Sequence, residues 1–342
     1  MRHRFAMSAA LGLVLTAAGC GGDDAGDDTD DGADDAADDG GDGGDGSDGG
    51  DGGDGTWEAL GDLPVGPVQE TAVVAVDGAI YVLGGIGSLS GVLVYDVEAD
   101  EWSEGPDLPV PVHHVNAAVV DGTIYVVGAL RDDFSPLGAV WSWAPGDAEW
   151  ADLSSMPAGT ERGASAVGVV DGLIVVAGGL AGGSVDLVST YDPALDAWSE
   201  ELPALPARID HGTGQSVDGV FYAIGGRTDG LGGNTGAVYA LVDGEWQERA
   251  PMPTPRGGIG SGVVDGSIIV VGGEGNDDED SGVFPQAEVY DPAADQWSAL
   301  PDMPTPRHGM GAAGVGRALY VPGGATREGF GAVATHEVLR LP

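Results

Sequence analysis

Three arginines, Arg162, Arg256 and Arg307, each stand nine residues before a repeated turn position, and Arg208 stands ten before one. Arginine presents a planar fork of donors that matches a carboxylate, so a cluster of this kind would hold an acidic peptide or an acidic sugar. Histidines recur at nearly the same height, with His113 and His308 eight residues before the turn and His114 and His211 seven before it. Imidazoles at one level around an axis could bind a metal ion. Successive strand residues face opposite sides, however, so no three of the four share a side in regular strands, and no metal is expected. The ligand-binding set is therefore Arg162, Arg208, Arg256, Arg307, His211 and His308. The alternative is that the arginines belong to a recurring Pro-Thr-Pro-Arg segment as scaffold pieces paired with nearby acids.

Composition removes several chemistries. The 342 residues include 56 acidic and 12 basic side chains, a net charge of -44, and no lysine. Such a chain cannot neutralise a phosphate backbone, which excludes nucleic acid as a partner. Without lysine there is no Schiff-base nucleophile and no phosphate-gripping P-loop side chain. The single cysteine forbids an internal disulfide and any multi-cysteine metal site. Neither a nucleophile elbow nor an HExxH pattern is present. The run from Gly309 to Gly314 fits a dinucleotide fingerprint in letters, but it lies in an expected strand with no helix after it. No catalytic residue and no cofactor are assigned. The acidic stretch at 276 to 280 reads as a solvated charge run, and Trp141 as either packing or a sugar-stacking surface.

The elements that must position these residues are repeats. Tryptophans recur at Trp57, Trp102, Trp150, Trp198, Trp246 and Trp297, at intervals of 45, 48, 48, 48 and 51 residues. Five units open with an apolar run into an Asp-Gly turn, at Asp77, Asp121, Asp171, Asp218 and Asp265, a strong hairpin signal because both turn residues need positive φ. Seven residues after each Asp comes a glycine pair, weakened to Gly128-Ala129 in the second unit. An aromatic follows (Tyr95, Trp143, Tyr191, Tyr239, Tyr290), and seven residues later the tryptophan. Four short antiparallel strands per unit make a propeller blade. The pattern resembles the kelch repeat, and the resemblance runs over residues 56 to 342. It implies an all-β fold, a six-bladed kelch-type β-propeller. The last unit lacks a tryptophan and Trp57 lacks strands before it, so the propeller is expected to close by pairing an N-terminal strand with the last blade.

In such a meander, with strands a to d from the hub outwards, the b-c loops and d-a crossings share one face. From the glycine pair to the aromatic of strand c the distance is 11, 15, 13, 14 and 18 residues, whereas the turn-to-glycine and aromatic-to-tryptophan spacings stay at seven, so length variation sits mainly in the b-c loops. Functional loops diverge while scaffold loops stay uniform, so this variable face is the expected binding surface. The resemblance implies a monomeric binding module for a protein or carbohydrate ligand, an acidic one where arginines serve. It also admits a sugar-modifying enzyme of the sialic acid mutarotase type, with Glu161, Asp210 or His211 as acid or base.

The first twenty residues have a basic start and an apolar run from Ala9 to Ala18 that is too short to span a bilayer, which takes about 20 apolar residues. Its end, LTAAGC, resembles a bacterial lipoprotein signal, which implies lipidation at Cys20 and a lipid-anchored place at a bacterial cell envelope, on the periplasmic side or the cell surface. The lipid is then the chain's only hold on the membrane. Residues 21 to 55 hold 15 aspartates among glycine and alanine and cannot bury a core, so they are expected to form a disordered tether.

Overall fold

The computed structural model describes residues 55 to 228 and 230 to 342. The expected signal, the lipidation at Cys20 and the tether up to residue 54 lie outside the described residues. Strand β1 (Thr56–Ala59) comes first. Blade 1 follows with β2 (Ala72–Val76), β3 (Ala79–Leu83), β4 (Val92–Asp96) and β5 (Glu101–Glu104). Blade 2 holds β6 (Ala117–Val120), β7 (Thr123–Leu130), β8 (Pro136–Trp143) and β9 (Ala151–Leu153), and blade 3 holds β10 (Ala166–Val170), β11 (Leu173–Ala177), β12 (Val188–Asp192) and β13 (Ala197–Ser199). Blade 4 is β14 (Thr213–Val217), β15 (Val220–Ile224), β16 (Val238–Val242) and β17 (Glu245–Glu248). Blade 5 is β18 (Gly260–Val264), β19 (Ser267–Val271), β20 (Ala287–Asp291) and β21 (Gln296–Leu300). The last three strands are β22 (Ala313–Val315), β23 (Ala318–Pro322) and β24 (His336–Arg340).

Each blade is an antiparallel four-stranded meander, and the sixth is completed by β1 in the order β1-β24-β23-β22. Trp57 lies opposite Leu339 in that pairing, so the chain closes as the unmatched tryptophan implies. Closure leaves no open seam between the first and last blades. The Asp-Gly turns take the left-handed conformation at both residues, for example Asp171 at φ 50° and Gly172 at 78°. Only a primed turn of this kind matches the twist of the strands it joins.

The core is a set of wedges between neighbouring blades. Tyr81 and Leu83 of blade 1 pack on Ile124, Val126 and Trp141 of blade 2, and Val175 and Ala177 of blade 3 pack on Phe221 and Ala223 of blade 4. Trp141 is 2% exposed, which makes it packing. Each spaced tryptophan donates its indole N–H to a carbonyl of the preceding blade: Trp198 to Ser154 at 2.9 Å, Trp246 to Pro203 at 2.8 Å, Trp57 to Pro301 at 2.7 Å. The glycine pairs mark the other inter-blade contact. At Gly272, φ is +62° and an added Cβ would sit 2.2 Å from the Arg307 carbonyl, while the next residue, Gly273, donates its N–H to that carbonyl at 2.9 Å. A side chain has neither the room nor the backbone conformation there.

Blade 2 departs from this plan where its glycine pair is weakened. β7 and β8 run on as eight-residue strands with a register shift between Val127 and Ala129, so the hairpin reaches further over the loop face. Its tip carries Phe134, left-handed at φ 61°.

Candidate functional site

A residue two to four positions before each innermost strand is left-handed in all six blades: Glu70, His114, Ala164, His211, Gly258 and Gly309. Their backbones form a closed hydrogen-bonded ring about the axis. His114 N–H donates to Glu70 O at 2.9 Å, Ala164 to His114 at 3.0 Å, His211 to Ala164 at 3.0 Å, Gly258 to His211 at 2.8 Å and Gly309 to Gly258 at 2.8 Å. Glu70 N–H donates to Gly309 O and completes the circle. The ring lies at the entry to strand a, on the face of the b-c loops. It borders a cup of about 130 Å³ that shares Val115, Ser165, Gly212, Ile259 and Gly311 with a larger axial cavity of about 380 Å³.

This geometry replaces the alternation argument made from the sequence. The histidines precede the strands, in turns, and side-chain parity does not apply to them. His114 Nε2 and His211 Nε2 approach to 2.9 Å, and Glu70 Oε2 lies 3.2 Å from His114 Nε2. His113 Nδ1 contacts His114 Nδ1, and the Phe134 ring covers both imidazoles at centroid distances of 4.6 and 5.8 Å. His211 Nδ1 is bonded to Asp210, which also accepts from Ser184 and from Arg227 Nε at 3.2 Å. Arg227 donates to His211 Nε2 at 3.0 Å and to Glu274 Oε1. Glu274 Oε2 in turn lies 3.3 Å from His308 Nδ1, and Glu70 Oε1 lies 3.8 Å from the same nitrogen. Titratable side chains from blades 1, 2, 4, 5 and 6 thus form one circuit. Glycine at 309 makes room for it, since a Cβ there would meet Glu70 Oε1 at 2.4 Å.

Since a guanidinium can only donate, the Arg227 contact leaves the lone pair of His211 on Nε2 and its proton on Nδ1, facing Asp210. Burial holds His114 well below the ordinary histidine range, and the neighbouring His211, His113 and Arg227 add to the shift. Burial alone would raise the Asp210 carboxyl, but hydrogen bonds from His211 and Ser184 and the charge of Arg227 hold it below its usual value. The site therefore carries neutral imidazole at His114 and ionised carboxylate at Asp210.

Three of the arginines expected to face a ligand do not. Arg162, Arg256 and Arg307 have 0% exposure. Arg162 donates to Gly178 O, Thr160 O and Val176 O at 2.6 to 2.8 Å. Arg256 binds Gly272 O at 2.6 Å and pairs with Glu288, and Arg307 pairs with Glu337 at 3.0 Å. The threonines of the two Pro-Thr-Pro-Arg segments bond the same acids, Thr254 to Glu288 and Thr305 to Glu337, each at 2.8 Å. The segment is a clamp on strand c, the scaffold alternative raised from the sequence. Its physical reason is visible in the other blades, where Val68, Val112 and Ile209 fill the same buried position. Arg208 alone of the four is exposed. Glu161 binds Gly159 N–H at 2.7 Å and is no part of the circuit.

Glu70, Arg227 and Glu274 were missed as site residues. Glu70 stands seven residues before Asp77, the register of His114 and His211, and Arg227 and Glu274 directly follow glycine pairs, where four blades have Ile86, Leu130, Leu180 or Ala325. The acidic run Asp277 to Asp280 is exposed and stays outside the cup. A second hollow, of about 660 Å³, lies on the opposite face among Leu173, Leu195, Trp198 and Leu241, with acidic side chains but no histidine or arginine in its wall.

The kelch motif family model matches residues 69–109 and 255–304. A kelch-like protein of Aspergillus terreus, terF, is 34% identical over 295 residues, covering 78% of this chain and 64% of that protein. Kelch-like protein 41a of Danio rerio is 31% identical over 226 residues, covering 64% of this chain and 37% of the relative, and kelch-like protein 23 of Homo sapiens is 28% identical over 261 residues, covering 73% and 44%. The chain thus spans less than two thirds of the length of these curated relatives. The solved structure of YjhT superposes with a TM-score of 0.69 at 17% identity, covering 81% of this chain and 95% of that one, a likeness of fold.

Proposed function

The chain carries kelch motifs and folds as a six-bladed β-propeller, and from that premise we propose that it is a kelch-repeat binding module that captures a protein or carbohydrate ligand on its b-c loop face. The observation that carries this reading is convergence. The loops of uneven length, the exposed Phe134, Leu231 and Phe330, and the axial circuit of charged side chains all lie on one face. Aromatic side chains held on rigid loops bury large area at low entropic cost, the usual anchors of recognition. The loop bearing Phe330 is clasped from both sides: Gln69 binds Gly329 O at 2.8 Å and Gly331 N–H at 3.1 Å, and Glu274 accepts from Gly329 N–H at 2.9 Å. With Arg162, Arg256 and Arg307 buried, the basic groups left on or near this face are Arg131, Arg208, Arg227 and Arg327, among many acids. That mixture favours a neutral or mixed-charge ligand over a strongly acidic one.

The reading includes anchorage by a lipid on Cys20 at a bacterial envelope, supported by the LTAAGC segment. It is tested by screening the purified protein against glycans and envelope proteins, with Phe134→Ala/Phe330→Ala and Leu195→Ala compared on each hit. Binding is expected to fall at least about tenfold in the first variant, since two aromatic anchors go, and to persist in the second. The reverse pattern would move the binding surface to the opposite face.

The Asp210–His211 pair supports a second reading, a sugar-modifying enzyme. A His211 Nε2 lone pair backed by Asp210 could take the proton of an anomeric hydroxyl in mutarotation. Accelerated anomer exchange of an acidic sugar, followed by NMR and lost in His211→Ala, would favour it over simple capture.

A further inference from the structure

We propose that Glu70, His114 and His211 form a site for a divalent transition-metal ion on the propeller axis, with two imidazoles and one carboxylate as ligands and zinc as the best fit. One donor atom from each of these three buried side chains lies within 4.8 Å of the others. Zinc bonds such donors at about 2.0–2.2 Å, so tetrahedral placement separates them by a little over 3 Å. The observed 2.9 Å between the imidazole nitrogens and 3.2 Å from carboxylate to His114 need only a small opening to admit the ion.

Two further observations point the same way. The first is the outer support. His211 hands its Nδ1 proton to Asp210, the carboxylate–histidine arrangement that orients a metal-binding imidazole and turns its Nε2 lone pair inward. His113 Nδ1 lies against His114 Nδ1, where it could accept that proton once the His114 Nε2 lone pair turns to a metal. The second is charge. Glu70, Asp210 and Glu274 are all 9% exposed or less, and Arg227 is the one guanidinium among them. Buried carboxylates call for paired cations or a metal; three of them against one guanidinium leave two negative charges, which a divalent ion would balance. Arg227 gives up one contact, at His211 Nε2, and keeps Asp210 and Glu274. Ala164, Gly258 and Gly309 place no donor side chain on the ring, which leaves the fourth position open towards the cup. The site stands with the capture reading whichever ligand the loop face takes, whereas a bound ion would occupy the His211 Nε2 lone pair that the sugar-modifying reading uses as its base.

The test is cobalt titration of the full-length, chelator-treated protein. One equivalent of Co²⁺ should give intense visible bands of a four- or five-coordinate site with nitrogen ligands, displaced by Zn²⁺, and Zn²⁺ should raise the melting temperature. The aspartates at 21 to 55 can hold Co²⁺ only as a pale oxygen-ligated ion, so the bands separate the two. His114→Ala and His211→Ala should lose the bands with an unchanged circular dichroism spectrum, and Asp210→Asn should weaken binding by about 10- to 100-fold. Bands that persist in both histidine variants would overturn the proposal. If those variants fail to fold, the wild type decides: absence of intense bands together with a melting temperature indifferent to zinc also overturns it.

Discussion

At the residue scale, the same side-chain type has opposite fates depending on one position in the repeat. Arg256 is a buried clamp, and its guanidinium neutralises Glu288 in a place where neither could stand alone. Arg256→Ala is expected to cost about 3–5 kcal/mol in urea unfolding, because it leaves a buried carboxylate unpaired. A change under about 1 kcal/mol would mean that the pair contributes little to the fold. His336 is buried against Tyr95 and Trp102, with ring centroids 4.7 and 5.1 Å away, and burial together with the charge of Arg307 lowers it to about 4. A depressed histidine adds stability above its unfolded value near 6.5 and loses it as pH falls towards the folded value. Between pH 7.5 and 4 this group should withdraw about 3 kcal/mol, and thermal melts of His336→Phe should show a correspondingly shallower acid limb. The arginines and histidines were legible as a recurring set, and the buried clamp was one of two readings of the arginines, but the spacing did not choose between clamp and ligand site. The signal was present in the valines and isoleucine at the arginine position of other blades, whereas the convergence of Glu70, His114 and His211 needed the left-handed turn that parity reasoning assumed away.

At the element scale, nearly everything was legible, because each feature of the repeat answers to one physical demand. Asp-Gly supplies two left-handed residues, the glycine pair admits the next blade's carbonyl, and the tryptophan reaches back to the blade before it. Six copies made the pattern readable where one would not. The exception was blade 2, where the pair is weakened to Gly128-Ala129 and the hairpin runs longer, and the bulge that carries Phe134 over the histidines could not be placed from spacing alone. Closure is the element with the clearest consequence. Deleting residues 56 to 60 removes β1, the Trp57 bond to Pro301 and the Glu58 partner of Arg340. The melting temperature is expected to fall by about 10 °C or more, since several kcal/mol of pairing and packing go with the strand. A melt within a degree or two of the full chain would show that the sixth blade stands on three strands.

At the scale of the whole molecule, residues 56 to 342 carry 41 acids and 10 arginines, so the acidity belongs chiefly to the propeller. Such a charge favours solubility and repels anionic surfaces, while three of the arginines, Arg162, Arg256 and Arg307, are drawn inward to carboxylates and carbonyls. Both described ends of the chain, the start of β1 and the end of β24, lie at the short-turn face, opposite the b-c loops. The central claim is that recognition takes place on the b-c loop face, around the axial cup. The most direct measurement is amide hydrogen exchange of the full chain with and without a ligand from the glycan and protein screen. Protection is expected in the loops near Phe134, Leu231 and Phe330 and at the ring residues His114 and His211. Protection confined to the turns around Asp171 and Leu195 would contradict the account.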